Sequence, residues 1–116
     1  MNICLRNHAV AFVFFLIMGA ASDVAASDAS NPLLHDADLI IDVRQVDEVA
    51  NSGMLEGAIN IPHNELAVNM ERLAAYRDKK VVLYCRGGRR AGFAKSFLRL
   101  QGFSNVVNAG AYEQLK

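Results

Sequence analysis

The sequence predicts an α/β domain with a mainly parallel central sheet that is flanked by helices on both faces. Along residues 39–116, short apolar segments rich in β-branched residues alternate with segments whose apolar residues recur at helical spacing. The central strands are short and apolar, which is typical of a sheet covered on both faces. A chain of 116 residues accommodates one domain of this kind.

Four strands are predicted from their apolar, β-branched composition. Pro62 ends the second of them, because proline has no N–H to donate to a strand ladder. The charged turn Asp78–Lys80 precedes the third. The predicted strands are Leu39–Val43, Ala58–Ile61, Val81–Tyr84 and Asn105–Asn108.

Four helices are predicted between and after these strands. Leu66, Met70 and Leu73 recur at helical spacing after Asn64, which is a suitable N-cap residue. Gly102 follows the third helix, where a C-terminal cap is expected. The predicted helices are Gln45–Asn51, Asn64–Tyr76, Arg90–Gln101 and Gly110–Leu115.

Residues 1–26 predict a cleavable signal peptide. A positive charge at Arg6 precedes an apolar run from Ala9 to Ala21, and small residues then lead to a cleavage site before Ser27. Cleavage after Ala21 is an alternative. The run is shorter than the roughly 18–20 apolar residues that a spanning helix needs, so an uncleaved membrane anchor is the less favoured alternative. We therefore expect a periplasmic or secreted protein with no stable membrane association after cleavage.

Cleavage leaves a flexible lead-in at residues 27–38 and a folded domain at residues 39–116. It also removes Cys4, so that Cys85 becomes the single cysteine of the mature protein. Exported proteins usually pair their cysteines or lack them, because the compartment is oxidising. A lone thiol there favours a reactive role for Cys85. A buried, inert cysteine is the alternative.

The overall composition excludes several classes of function. Twelve Lys and Arg residues balance twelve Asp and Glu residues, which disfavours nucleic acid or an anionic membrane as a partner. Two cysteines and three histidines, without a CxxC pair, are too few for a zinc ribbon. We expect neither a metal nor an organic cofactor. Hydrophobic residues make up 53% of the chain, which excludes a disordered protein.

The most informative segment surrounds Cys85, which follows the third predicted strand and precedes the third predicted helix. In a parallel α/β sheet this position lies at the carboxyl edge, where such folds bind ligands. Two glycines allow a tight bend, and the helix behind them contributes free N–H groups and the positive end of its dipole. Three arginines add positive charge. The residues assigned to anion binding are Arg86, Gly87, Gly88, Arg89 and Arg90.

These surroundings favour a thiolate, so Cys85 is a candidate nucleophile in an anion pocket. The alternative is a glycine-rich turn beside a solvated basic patch. Cysteine phosphatases need a cysteine and an arginine separated by five residues, and Ala91 stands where that arginine would fall. Because Cys85 and Arg90 enclose only four residues, the loop suits a persulfide and a sulfur oxyanion better than a phosphate ester.

Several segments together resemble a known family. They are Leu39–Arg44 with Glu48 (LIIDVR…E), Gly53–Pro62 (GMLEGAINIP), Val81–Ala91 (VVLYCRGGRRA) and Gln101–Gly110 (QGFSNVVNAG). They span nearly all of residues 39–112, and in combination they resemble the rhodanese family of thiosulfate:cyanide sulfurtransferases. The small exported members with a single domain are the most similar in outline. Tyr112 departs from the family's common tryptophan.

The resemblance implies a rhodanese-like domain in which Cys85 accepts sulfane sulfur as a persulfide. The amides of residues 86–90 would surround it, and the three loop arginines would attract thiosulfate. Asp42, Arg44 and Glu48 would lie beside the loop as supporting residues that fasten loops together. Residues 108–110 would form a turn near the same edge.

The resemblance also implies the partners. Thiosulfate or another sulfane-sulfur donor would supply sulfur, and cyanide or a thiol would accept it without metal or organic cofactor. We expect a monomer. Two other functions stay open: a rhodanese-like module that only binds, and a cysteine phosphatase or arsenate-type reductase.

Overall fold

Four parallel strands form the sheet within the part of the chain that the structure describes. The structure is a computed structural model that describes residues 31–116, and Leu33–Lys116 make up one compact unit. The strands are β1 (Leu39–Asp42), β2 (Ile59–Asn60), β3 (Lys80–Cys85) and β4 (Asn105–Ala111). Their order is β2-β1-β3-β4, and every neighbouring pair is parallel. The predicted α/β class with a parallel sheet is confirmed.

Four α-helices connect or follow these strands in the described residues: α1 (Val46–Ser52), α2 (Met70–Leu73), α3 (Arg89–Leu100) and α4 (Tyr112–Leu115). Short 3₁₀ turns flank α2 at His63–Glu65, Ala67–Asn69 and Ala74–Tyr76. Within residues 31–116, no helix has the length and apolarity needed to cross a bilayer. The predicted signal peptide, residues 1–26, lies outside the described residues.

The prediction of one continuous helix from Asn64 to Tyr76 is wrong. Asn69 Nδ2 donates to the carbonyl of Glu65 at 2.8 Å, so the side chain bonds to the oxygen that a helical N–H would use. The backbone N–H of Asn69 bonds instead to Leu66 at 2.9 Å, which is the tighter 3₁₀ pattern. Leu66 and Leu73 are still buried, as their spacing predicted.

The turn predicted at residues 108–110 is also wrong, because β4 continues to Ala111. Leu83 pairs with Asn108 and Tyr84 pairs with Gly110, so Ala109 is an extra residue in a β-bulge. Gly110 adopts a φ of 91°, a conformation that glycine accepts readily. Beyond the bulge β4 stays paired with β3 up to the last residue of β3, where Cys85 pairs with Ala111.

The two faces of the sheet are both covered. Successive side chains of β3 point to opposite faces, so Leu83 and Cys85 belong to one core cluster while Tyr84 belongs to the other. On the first face α3 packs with Ala91, Ala94 and Leu98, and on the second face α4 packs with Tyr112. Cys85 therefore lies at the carboxyl end of a central strand, on the α3 side.

Candidate active site

Cys85 ends β3 and begins the cysteine loop, which we define as residues 85–90. Its side chain is buried, with a relative exposure of 1%. The backbone N–H of Gly88 donates to Cys85 Sγ at 2.9 Å. Gly88 is the N-cap of α3 with a φ of 99°, a left-handed conformation that turns the chain back over the sulfur. The loop thus aims a backbone donor at the sulfur atom.

Gly88 also packs closely on β4. A Cβ atom added at Gly88 would lie 3.4 Å from the Cα of Gly110, in van der Waals contact with the neighbouring backbone. A Cβ atom added at Gly87 would have no atom within 4 Å, and Gly87 is exposed. The two glycines therefore differ: Gly88 is needed for its backbone angle and its contact, whereas Gly87 faces solvent.

The helix α3 begins directly behind the sulfur. Its twelve residues start at Arg89, and the first N–H groups of a helix have no partner within the helix. These groups and the helix dipole give the loop a positive potential at the end where Cys85 lies. The predicted meeting of a strand end, a cysteine and a helix N-terminus is present in the structure.

The three loop arginines are not equivalent. Arg86 and Arg89 are exposed, and the Arg89 guanidinium lies 6.0 Å from the ring centre of Phe93. Arg90 instead donates to both carboxylate oxygens of Glu48, at 2.6 and 2.9 Å. The sequence predicted that all three arginines add positive charge at the loop, and in the structure the Arg90 charge is paired with Glu48. The hydrogen bonds that Arg90 donates to Glu48 raise the pKa of Arg90.

Glu48 connects α1 to the start of α3. Besides the Arg90 pair, its Oε2 accepts the backbone N–H of Gln45 at 3.0 Å and so completes a capping box at the start of α1. The hydrogen bond from Arg90 is the largest cause that lowers the pKa of Glu48 to about 2. Glu48 therefore stays ionised and holds the last residue of the cysteine loop.

Asp42 and Arg44 form a buried ion pair behind the loop, with relative exposures of 0% and 3%. Arg44 Nε and Nη2 donate to the Asp42 carboxylate at 2.6–3.1 Å. Arg44 also donates to Ser52 Oγ at 2.7 Å and to the carbonyl of Gly53 at 2.6 Å. The pair thus fastens the end of β1 to the segment after α1, and the hydrogen bond with Asp42 raises the pKa of Arg44.

Two tyrosines pack against this pair. The Arg44 guanidinium lies 4.3 Å from the ring centre of Tyr112 and 5.9 Å from that of Tyr84. The rings themselves are stacked at 5.8 Å. Tyr84 is fully buried, and burial raises the pKa of its hydroxyl, which accepts the N–H of Leu55 at 2.9 Å. The residue before Cys85 is therefore held rigidly on the face opposite the sulfur.

A cleft of about 370 Å³ adjoins the cysteine loop through Arg86. Its lining residues are Arg44, Glu48, Asn51, Ser52, Arg86, Tyr112 and Glu113. No group of His, Cys, Asp and Glu side chains within residues 31–116 has the arrangement of a metal site. The sequence-predicted loop and supporting residues therefore surround one edge of the sheet, with an open cleft beside them.

A sequence model of the family described as rhodanese-like domain matches residues 25–115. The chain belongs to the rhodanese-like family. A sulfurtransferase of Allochromatium vinosum is 34% identical over 70 residues, covering 60% of this chain and 63% of that protein. The thiosulfate sulfurtransferase PspE of Escherichia coli K12 is 36% identical over 75 residues, covering 65% and 71%.

The rhodanese-like segment also occurs in larger proteins. The tRNA uridine(34) hydroxylase of Cronobacter sakazakii is 38% identical over 81 residues, which cover 66% of this chain but 23% of the hydroxylase. The chain thus spans less than two thirds of the length of two of these relatives. Relatives of the same family therefore carry different names and different lengths.

Solved rhodanese structures share the fold. The structure described as a rhodanese with anions from E. coli has a TM-score of 0.59 and 36% identity, covering 65% of this chain and 87% of that chain. Human single-domain sulfurtransferase TSTD1 has a TM-score of 0.58 and 30% identity, covering 68% and 80%. This likeness confirms a small single-domain rhodanese-like fold.

Sequence reasoning missed two side chains of the rhodanese-like site. Asn108, predicted as the end of the fourth strand and the start of a turn, bonds to the backbone of the cysteine loop. The sequence pattern predicts Tyr84 only as part of an apolar strand. A signal for Tyr84 did exist, since a tyrosine in a fully buried strand needs a partner for its hydroxyl. No comparable signal exists for Asn108, because its partner is 20 residues away.

Proposed function

We propose that this rhodanese-like protein is a sulfurtransferase that moves sulfane sulfur from thiosulfate to a thiophilic acceptor through a persulfide on Cys85. One observation carries the proposal: the N–H of Gly88 donates to Cys85 Sγ at 2.9 Å, within a loop that opens onto the N-terminus of α3. A sulfur atom held among backbone donors is stabilised as an anion, both as thiolate and as persulfide.

In the first step the Cys85 thiolate attacks the outer sulfur of thiosulfate. A bond forms between Cys85 Sγ and this sulfur, and the sulfur–sulfur bond of thiosulfate breaks. The electron pair of that bond leaves with sulfite, which needs no proton. The negative charge that leaves with sulfite balances the charge lost by the thiolate, and the charge that the outer sulfur carried in thiosulfate stays on the terminal persulfide sulfur, where the donors of the loop stabilise it.

In the second step the acceptor attacks the terminal sulfur of the persulfide. Cyanide leaves as thiocyanate, and a thiolate acceptor leaves as its own persulfide. The bond to Sγ breaks, and its electron pair returns to Cys85 as the thiolate. Because the enzyme alternates between two covalent forms, the kinetics are of the ping-pong type.

Charged side chains divide their roles around the loop. Arg86 and Arg89 are exposed beside the loop and have no carboxylate partner among the described ion pairs, so they attract the dianionic donor. Arg90 contributes its backbone N–H and its nearby charge, while its guanidinium holds Glu48. Asp42 and Arg44 support the loop as a buried pair, because the Arg44 guanidinium is already bound by Asp42, Ser52 and Gly53.

The presence of Cys85 and the length of its loop favour sulfur transfer over the alternative functions. A module that only binds does not need a thiol to which the loop donates hydrogen bonds, whereas Cys85 accepts the N–H of Gly88. A phosphatase needs a wider loop than the four residues between Cys85 and Arg90, and the Arg90 side chain is turned toward Glu48. Sulfur transfer thus accounts for more of the site than either alternative.

We further propose that residues 1–26 direct export and are removed. The apolar run from Ala9 to Ala21 and the small residues before Ser27 support this. The mature protein would then start with a lead-in and act outside the cytoplasm as a monomer. The mass of the protein purified from the exporting cell would give the cleavage site directly.

Initial rates of thiocyanate formation test the proposed function. With thiosulfate and cyanide varied, the account predicts parallel double-reciprocal lines and no activity in Cys85→Ser. A double variant, Cys85→Ser with Ser96→Cys, moves the thiol to an exposed position of α3 and is expected to stay inactive. Retained turnover in Cys85→Ser, or restored turnover in the double variant, would contradict a role for the loop thiol.

A further inference from the structure

The Asn108 side chain makes two hydrogen bonds, one to the cysteine loop and one to the backbone of β4 itself. Its Nδ2 donates to the carbonyl of Gly88 at 3.0 Å, and its Oδ1 accepts the N–H of Gly110 at 2.9 Å. The same Gly88 carbonyl accepts the first helical hydrogen bond of α3, from the N–H of Gly92 at 3.0 Å. Two donors therefore hold this carbonyl, and they fix the plane of the peptide between Gly88 and Arg89.

The orientation of the peptide between Gly88 and Arg89 determines where the N–H of Arg89 points. In a planar trans peptide the N–H points opposite to the C=O. Because the Gly88 carbonyl points along α3 toward Gly92, the N–H of Arg89 points the other way, out of the helix N-terminus and toward the cysteine loop. Asn108 thus acts on a donor that it does not itself touch.

The β-bulge explains why a residue of β4 can reach the loop. Leu83 pairs with Asn108, but Tyr84 pairs with Gly110, so the ladder skips Ala109. The extra residue shifts the end of β4 relative to β3, and Gly110 then comes to lie under Gly88. Bulges of this kind commonly re-aim a side chain next to an active site.

We propose that Asn108 is a positioning residue for anion binding: it orients the Arg89 N–H toward the anionic end of the sulfur donor. The identity of that donor rests on the proposed function, but the anion preference of the loop does not. The role is distinct from packing, because one amide group binds both the loop carbonyl and the bulge.

Alkylation of Cys85 tests the proposal without requiring sulfur transfer. Iodoacetate and iodoacetamide react with the thiolate by the same displacement of iodide, and they differ in that only iodoacetate carries a carboxylate. The ratio of their rate constants therefore reports how well the loop attracts an anion. We expect Asn108→Ala to lower this ratio by about tenfold, less than the roughly 100-fold loss when an oriented donor is itself removed, because the Arg89 N–H stays in place and loses only its fixed direction. The rate with neutral iodoacetamide should change less than about twofold.

Asn60→Ala is the matched control. Asn60 Nδ2 also makes two hydrogen bonds, to the carbonyls of Asp42 and Arg44 at 2.9 Å, but it lies on β2. Its loss should lower the free energy of unfolding while leaving the alkylation ratio unchanged. If Asn108→Ala does not fold, Asn108→Thr replaces it, because a β-branched side chain suits a strand yet is too short to reach Gly88.

The alkylation ratio and the rate of persulfide formation together distinguish the positioning role of Asn108 from the proposed sulfurtransferase function. An unchanged ratio in the Asn108 variant, or an equal fall in Asn60→Ala, would overturn the positioning role. A lowered ratio together with an equally lowered rate of persulfide formation from thiosulfate would support it. If the unmodified protein forms no persulfide but the ratio still falls in the Asn108 variant, the sulfurtransferase proposal fails and the positioning role stands.

Discussion

The guanidinium of Arg90 donates to both oxygens of the Glu48 carboxylate, at 2.6 and 2.9 Å. Arg90 is the last residue of the cysteine loop and Glu48 belongs to α1, so the contact joins elements 42 residues apart in sequence. Both side chains keep a relative exposure of 26%, which leaves the pair only partly in contact with water. One of the charges expected to face the substrate is therefore used to fix the loop.

The Glu48–Arg90 pair makes stability depend on pH. The pKa of Glu48 is about 2 in the folded protein and 4.5 as its ordinary value, so its contribution is complete above pH 4.5 and is lost as the pH falls toward 2. The shift sets an upper bound of about 3 kcal/mol at neutral pH, and screening by water at this partly exposed pair lowers the contribution. Glu48→Gln should lose up to this amount at pH 7 and much less near pH 2.5.

Urea unfolding of both proteins at pH 7, 4.5, 3.5 and 2.5 measures this difference. The exposed carboxylate Glu71, replaced as Glu71→Gln, serves as the control, because the described structure gives it no ion pair. A difference between Glu48→Gln and the natural sequence that stays constant over this range would contradict the pairing.

Much of the fold follows from the local pattern of the sequence. The apolar run from Val81 to Tyr84 could only be a buried strand, and Arg90–Gln101 shows an apolar stripe at helical spacing. These signals are local, because periodicity and composition act within a few residues. The position of Cys85 at a strand end beside a helix followed from the same two elements.

Other features depend on contacts that local patterns do not encode. Asn69 interrupts the helix after Pro62 through a bond from its own side chain, although the apolar spacing of that segment is helical. The pairing of Arg90 with Glu48, rather than with the substrate, and the reach of Asn108 to Gly88 both join distant parts of the chain. These contacts are determined by tertiary packing and not by the local sequence pattern.

Gly88→Ala should destabilise the protein and slow sulfur transfer. Gly88 has a φ of 99° and would bring a Cβ within 3.4 Å of Gly110. Gly57→Ala is the matched control, since Gly57 has a φ of 85° but open space around its Cβ. We expect a loss of about 1 kcal/mol from the backbone angle in both variants, measured by urea unfolding. Only Gly88→Ala should also lower kcat/KM for thiosulfate, and equal activity of the two variants would contradict the loop geometry.

Arg86→Gln should raise the KM for thiosulfate by about fivefold with little change in kcat, because a free surface cation attracts a dianion mainly during binding. Added salt should shrink the difference, since screening weakens exposed charges. Initial rates at low and high ionic strength provide the measurement. Arg99→Gln removes an exposed charge from the far end of α3 and should leave the KM unchanged. A comparable effect in Arg99→Gln would indicate net charge rather than a local site.

Asp42→Asn should cost about 3–5 kcal/mol of unfolding free energy, the usual loss when one partner of a buried ion pair is removed. Arg44 would remain buried without the carboxylate to which it is bonded. Denaturant unfolding measures the loss, with the exposed Asp47→Asn as control. A loss below about 1 kcal/mol would show that the pair does not hold β1 to the segment after α1.

The central claim is that Cys85 carries sulfur, and intact mass spectrometry of the purified mature protein tests it most directly. The mass is measured alone, after excess thiosulfate, and again after cyanide. The account predicts a gain of about 32 Da, one sulfur atom, that cyanide reverses and that Cys85→Ser does not show. An unchanged mass with Cys85 free to be alkylated, or a gain that persists in Cys85→Ser, would contradict it.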